Sequence, residues 1–212
     1  MRGFREALFQ YFRENLGIYF FVTLTYALGI GFGAFSVSAL GAAQKAELAE
    51  YLRVFFQELD RIGGLQANLV VQRAVFSHLK IGLIIWFLGI TVVGAPLILV
   101  LLFLKGFILG FTVGFVVHEM SFPGLLFAVV GILPHNVILV PALLMMGTSG
   151  ISFSLMLIRH RLNPRRGGGG YQQFLGYSFL CLLISILFVL GGLVESYIVP
   201  VFIRLISPAV AG

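Results

Sequence analysis

"LIIWFLGITVVGAPLILVLLFLKGFILGFTVGF" (residues 83–115) carries one charged side chain, Lys105, among apolar residues and small spacers. A helix rises about 1.5 Å per residue, and roughly 20 apolar residues cross the ~30 Å hydrocarbon layer of a bilayer. The run is long enough to belong to two crossings. It divides at Lys105 into a span over 81–104, which Pro96 bends and Lys105 caps, and a span over 106–129.

The whole chain agrees with that reading. Of its 212 residues 59% are hydrophobic and only 10% are charged, where a soluble domain carries about 25%. The mean hydropathy is +1.05. So much apolar side chain needs a bilayer as solvent. The net charge of +6 raises nucleic acid as a partner. Position excludes it, because the basic residues cluster at the edges of apolar runs, where they set orientation. The single Cys181 lies within an apolar run, can form no internal disulfide and reads as a small packing residue.

Working outward, residues 1–15 form a short amphipathic cytoplasmic start and 16–40 an uncleaved first span. Residues 41–80 are the one sizeable polar stretch. Leu48, Leu52, Phe55, Phe56 and Leu59 recur there at helical spacing, with charges on the other faces, so the stretch predicts an amphipathic helix ended by Gly63–Gly64. A second segment from Leu65 to His78 continues into the next span. Beyond 106–129 come a span over 136–158, a polar loop over 159–172, a fifth span over 173–194 and an external tail over 195–212.

The expected fold is all-α: a polytopic membrane helix bundle of about five spans in one domain, with an external amphipathic helical segment. Arg2, Arg5 and Arg13 share the cytoplasm with Arg159, Arg161, Arg165 and Arg166 if four spans separate them. The 41–80 segment and the C-terminus then face outside.

Gly106, Gly110 and Gly114 repeat every four residues on one helix face, as Gly29 and Gly33 do in the first span. Such stripes let helix backbones approach closely in lipid. His118 and Glu119 begin a zinc-protease pattern that fails at Phe122, and no metal set or catalytic set emerges. No cofactor is implied, and the chain does not read as an enzyme. His118 and Glu119 on the third span, with His135 and Asn136 opening the fourth, read as a polar lock between the two helices. An ionisable group in a membrane is also a functional candidate. A small transporter or proton-coupled channel using Glu119 is therefore the alternative reading.

The chain resembles the stage II sporulation protein M family over nearly its full length. The likeness lies in "FREALFQYFRENLGIYFFV" (4–22), the separate polar segment, 83–115 and "LPHNVILVPALL" (133–144). Many relatives in the wider family carry a Glu shortly before the second proline of that last motif, where this chain has Leu139. The departure points to the sporulation branch. The resemblance implies a non-enzymatic scaffold in the mother-cell membrane, at the sporulation septum and engulfing membrane. It implies recruitment of two peptidoglycan-degrading partners, stage II sporulation proteins D and P. Leu48, Leu52, Phe55, Phe56 and Leu59 are the expected contact strip, and the Gly106–Gly110–Gly114 face is a second candidate dock. Membrane lipid is the other expected contact.

Overall fold

The computed structural model describes residues 15–62, 67–162 and 170–210, with side chains over 15–51, 54, 71–159 and 171–197. The described chain is all-α: α1 (Leu16–Ala39), α2 (Ala42–Ile62), α3 (Ala67–Gly89), α4 (Gly94–Phe127), a π-helical turn (Ala128–Ile132), α5 (Leu133–Leu162) and α6 (Gly170–Val210). Among the described residues four stretches are long and apolar enough to cross a membrane: Leu16–Ala39, Val71–Gly89, Gly94–Arg159 and Tyr171–Tyr197. Large apolar side chains, among them Phe20, Phe35, Leu83, Phe87, Phe179 and Leu182, stand exposed on their outer faces. In water that surface is a liability; in lipid it is the ordinary solvent contact.

The third stretch is 66 residues long, on the order of 100 Å if straight, far beyond one bilayer. It is not straight. Ser121 has φ 51° and ψ −119°, the one positive φ at a non-glycine residue among those described. The next residues cause and permit this break. Pro123 disfavours helical geometry at Phe122. A Cβ built on Gly124 would fall on the carbonyl oxygen of Val116, so only glycine lets the chain close back on itself here. The arms on either side of Ser121 then run antiparallel. Leu102 fills the space beside Gly147, Ile98 that beside Gly150, and the Ala95 amide donates to the Ser154 hydroxyl at 3.2 Å.

The same reasoning orders the other helices. Gly29 lies against Phe103 and Phe107, and Gly33 against Phe107 and Phe111, so α1 and α4 run parallel. Val75 sits beside Gly192, Phe188 beside Gly82 and Tyr177 beside Gly89, so α3 and α6 are antiparallel. Leu139 packs on Gly191 while Phe153 stacks on Tyr177 with ring centroids 4.5 Å apart, so α5 and α6 are also antiparallel. The apolar arms alternate in direction along the chain. Their common core contains Val22, Tyr26, Ile85, Ile98, Leu102, Met146, Cys181 and Phe188. Cys181 is a buried free thiol within it.

Helix boundaries depart from the expected ones in four places. The break expected at Lys105 lies at 90–93, and Lys105 is interior to α4. Pro96 does not bend a span. It sits in the first turn of α4, where a missing N–H costs nothing. The turn expected near 130–135 is helical, and the reversal falls earlier, at Ser121. The tail expected from residue 195 continues α6 without interruption to Val210.

Candidate functional site

The polar side chains singled out in the sequence fall into two separate sets of contacts. On α4, His118 is exposed and its Nε2 accepts a hydrogen bond from Lys45 Nζ of α2 at 2.8 Å. Glu119 is exposed as well, and no hydrogen bond or ion pair reaches it among the described residues. On α5, His135 Nδ1 lies 3.1 Å from the Gly131 carbonyl, and Asn136 Nδ2 donates to the Ile132 carbonyl at 2.8 Å. Asn136 Nδ2 also lies 3.0 Å from His135 Nε2. One tautomer satisfies all of this: Nδ1–H donates to the carbonyl and Nε2 accepts from the amide, so both ring nitrogens are occupied. The carbonyls used, those of Gly131 and Ile132, belong to the π turn just before Pro134. No hydrogen bond joins His118 or Glu119 to His135 or Asn136.

One ion pair inside the apolar arms joins residues the sequence did not single out. His78 Nε2 of α3 lies 2.6 Å from Glu195 Oε2 of α6, with the side chains 20% and 33% exposed. Two further titratable groups are close enough to act electrostatically on that carboxylate: Lys105 of α4 and His135 of α5. Of these four groups only His78 and Glu195 touch. Lys105 makes no hydrogen bond among the described residues, and Glu195 is the acid that acts on it electrostatically. Sequence separation hid the pair, since His78 and Glu195 are 117 residues apart. Boundary placement hid it further, because His78 was assigned to an outer segment, Lys105 to a helix end and Glu195 to a tail. The available signal was Glu195, the one charged residue between 167 and 203.

The two candidate docking surfaces fare differently. A Cβ on Gly106 would strike the Tyr26 carbonyl, one on Gly110 the Ile30 carbonyl, and Gly114 faces Ala34. This face is filled by α1 of the same chain, which corrects its reading as a dock. The other strip lies on α2. Leu48 is half-buried, while the side chains of Leu52, Phe55, Phe56 and Leu59 are outside those described. Tyr51 and Val54 of the same helix are exposed.

A cavity of about 340 Å³ opens near the opposite end of α6, lined by Ser149, Ser152, Phe153, Met156, Gln173 and Tyr177 among others. Among the described residues no three His, Cys, Asp or Glu side chains are grouped to hold a metal ion.

Comparison with protein families matches residues 20–200 to the profile described as "SpoIIM: Stage II sporulation protein M". Neither the curated proteins nor the solved structures contain a match.

Proposed function

The chain belongs to the stage II sporulation protein M family, and from that membership we propose that it is a non-enzymatic scaffold of the mother-cell membrane. In this reading it recruits and anchors peptidoglycan-degrading partners, stage II sporulation proteins D and P, at the sporulation septum during engulfment of the forespore. The family match over residues 20–200 carries the proposal. The bundle is compatible with it. Alternating arms support five crossings, with the arginines at both ends of the first four arms on the cytoplasmic side. The amphipathic α2 then faces the wall.

Leu48, Leu52, Phe55, Phe56 and Leu59 are the proposed contact strip for those partners. The test replaces Phe55 and Phe56 with Asp and purifies the protein from sporulating cells. Loss of both hydrolases with normal membrane insertion is expected; undiminished recovery of both removes the strip. A polar lock between His118–Glu119 and His135–Asn136 belongs to the same proposal only as a coupling of two helix ends, since their hydrogen bonds run elsewhere. The alternative is a small transporter or proton-coupled channel using Glu119, which stands exposed. Proteoliposomes carrying the unaltered protein decide it, and absence of any proton flux ends it.

A further inference from the structure

The cavity between α5 and α6 is apolar within and polar at its mouth. Phe153, Met156 and Leu180 supply apolar wall. Two of its hydroxyls donate to other helices: Tyr177 to the Trp86 carbonyl at 3.1 Å, and Ser152 to Asn15 Oδ1 at 2.8 Å. Gln173 differs. It is exposed and makes no hydrogen bond among the described residues, so its amide is left to donate at the mouth. Gly176 lines the cavity beside it, and a Cβ there would meet nothing within 4 Å. Glycine weakens a helix interior, and close approach is the usual reason to keep it in a membrane. Gly191 and Gly192 of the same helix have that reason, standing against Leu139 and Val75. Gly176 does not; its missing side chain widens the cavity instead. Arg159 is exposed and follows Ser149, Ser152 and Met156 on one face of α5, in steps of three and four residues. Residues 120–194 contain four arginines and no acid, so no carboxylate of this stretch answers them.

We propose that this cavity binds one anionic phospholipid. An acyl chain enters between Phe153, Met156 and Leu180, the Gln173 amide donates to an ester carbonyl at the mouth, and the phosphate lies toward Arg159. The volume of about 340 Å³ is at the lower end of the ~300–1,000 Å³ of small-molecule sites. It suits part of one lipid and leaves the remainder in the bilayer. Water fits the interior poorly, because a buried water needs about two to four polar partners and the Tyr177 and Ser152 donors are engaged elsewhere. A peptide segment would carry its own backbone N–H and C=O groups against apolar wall. The occupant is therefore apolar along its length and negative at its end, as a phospholipid is. Basic pockets between membrane helices on the cytoplasmic side hold such head groups. The leaflet follows from the orientation proposed above; the site itself does not depend on it.

The inference is independent of partner recruitment, because its test uses the purified full chain with no hydrolase present. Native mass spectrometry reads lipid retained after addition of phosphatidylglycerol or of phosphatidylcholine with the same acyl chains. Phosphatidylglycerol should be preferred about fivefold, the effect of one arginine near an anionic head group. Gly176→Leu fills the mouth without meeting a neighbour and should lose the bound lipid. Arg159→Gln should retain lipid and lose the preference. Gly31→Leu should keep both, since Gly31 also faces open space but lines no part of the cavity. Equal retention of the two lipids by the unaltered protein overturns the proposal. So does undiminished retention in Gly176→Leu, or an undiminished preference in Arg159→Gln. Where Gly176→Leu does not fold, fluorescence of the unaltered protein takes its place. Trp86 is the one tryptophan, and it packs on Phe174, which packs on Phe153 of the cavity wall. In phosphatidylcholine nanodiscs, phosphatidylglycerol brominated on its acyl chains should quench Trp86 more than an equal fraction of brominated phosphatidylcholine. Equal quenching overturns the site.

Discussion

The α1–α4 and α3–α6 contacts join helices by opposite means. Along α1–α4 the joining surface is backbone on backbone: Gly29 and Gly33 face Phe103, Phe107 and Phe111, and Gly106 and Gly110 face Tyr26 and Ile30. No charged side chain takes part. Along α3–α6 a histidine and a glutamate meet at 2.6 Å, Gly82 and Gly89 receive the Phe188 and Tyr177 side chains, and only Gly192 meets backbone, that of Val75. In lipid there is no hydrophobic force between helices, so close packing and polar contact are the available sources of association. The first kind depends on shape and responds to no solvent variable. The second is conditional on charge. The molecule therefore combines one fixed joint with one adjustable joint.

The largest expected effect comes from forcing the fixed joint apart. Gly110→Leu drives a side chain into the Ile30 carbonyl and should cost about 3 kcal/mol or more, read as lost folded protein in detergent unfolding. Gly31→Leu, on the facing helix α1 but with open space around it, should leave stability unchanged. Equal loss in both would show that leucine harms α1 and α4 generally and that the contact is not the cause. At the adjustable joint the loss should be smaller. His78→Gln and Glu195→Gln should each cost about 1–2 kcal/mol near pH 6, with the double variant little worse than either. Additive losses would mean that the two side chains act separately. The smallest effect belongs to the exposed pair at α2. Lys45→Met should change stability by less than ~0.5 kcal/mol, since an exposed contact gains little over water. A loss as large as at Glu195 would make the α2–α4 contact a third structural joint.

Glycine spacing made the fixed joint legible. Four-residue repeats in uncharged helices have few uses other than close approach, and both stripes were visible at once. That α2 is helical was legible too, because its apolar residues recur at helical spacing, while the expected stop at Gly63–Gly64 lies outside the described residues. The turn at 90–93 was not. It lies within an apolar run and is made by backbone bonds, Thr91 N–H donating to the Leu88 carbonyl at 2.9 Å and Gly94 N–H to the Thr91 carbonyl at 3.1 Å, with the Thr91 and Ser154 hydroxyls donating to the Leu88 and Thr91 carbonyls at 2.7 and 2.8 Å. Lys105 drew the boundary to itself because a charge usually marks a helix end in a membrane. That rule fails where an acid on another helix answers the charge, and no local pattern reveals such an acid 90 residues away. The reversal at Ser121 was half legible. Pro123 and Gly124 announced a break, but whether the chain bends or turns back depends on the contact between Gly124 and Val116, which only the folded arms display.

The parallel pairing of α1 with α4 also imposes an order in time. Helix α1 is finished at Ala39, while the surface that fits Gly29 and Gly33 is not made until residues 103–111. At synthesis rates of roughly 5–20 residues per second, the first helix waits on the order of several seconds with its glycine face unmatched. During that interval the face is the part of the nascent protein best shaped to receive another helix, so correct assembly rests on α4 arriving before a competitor does.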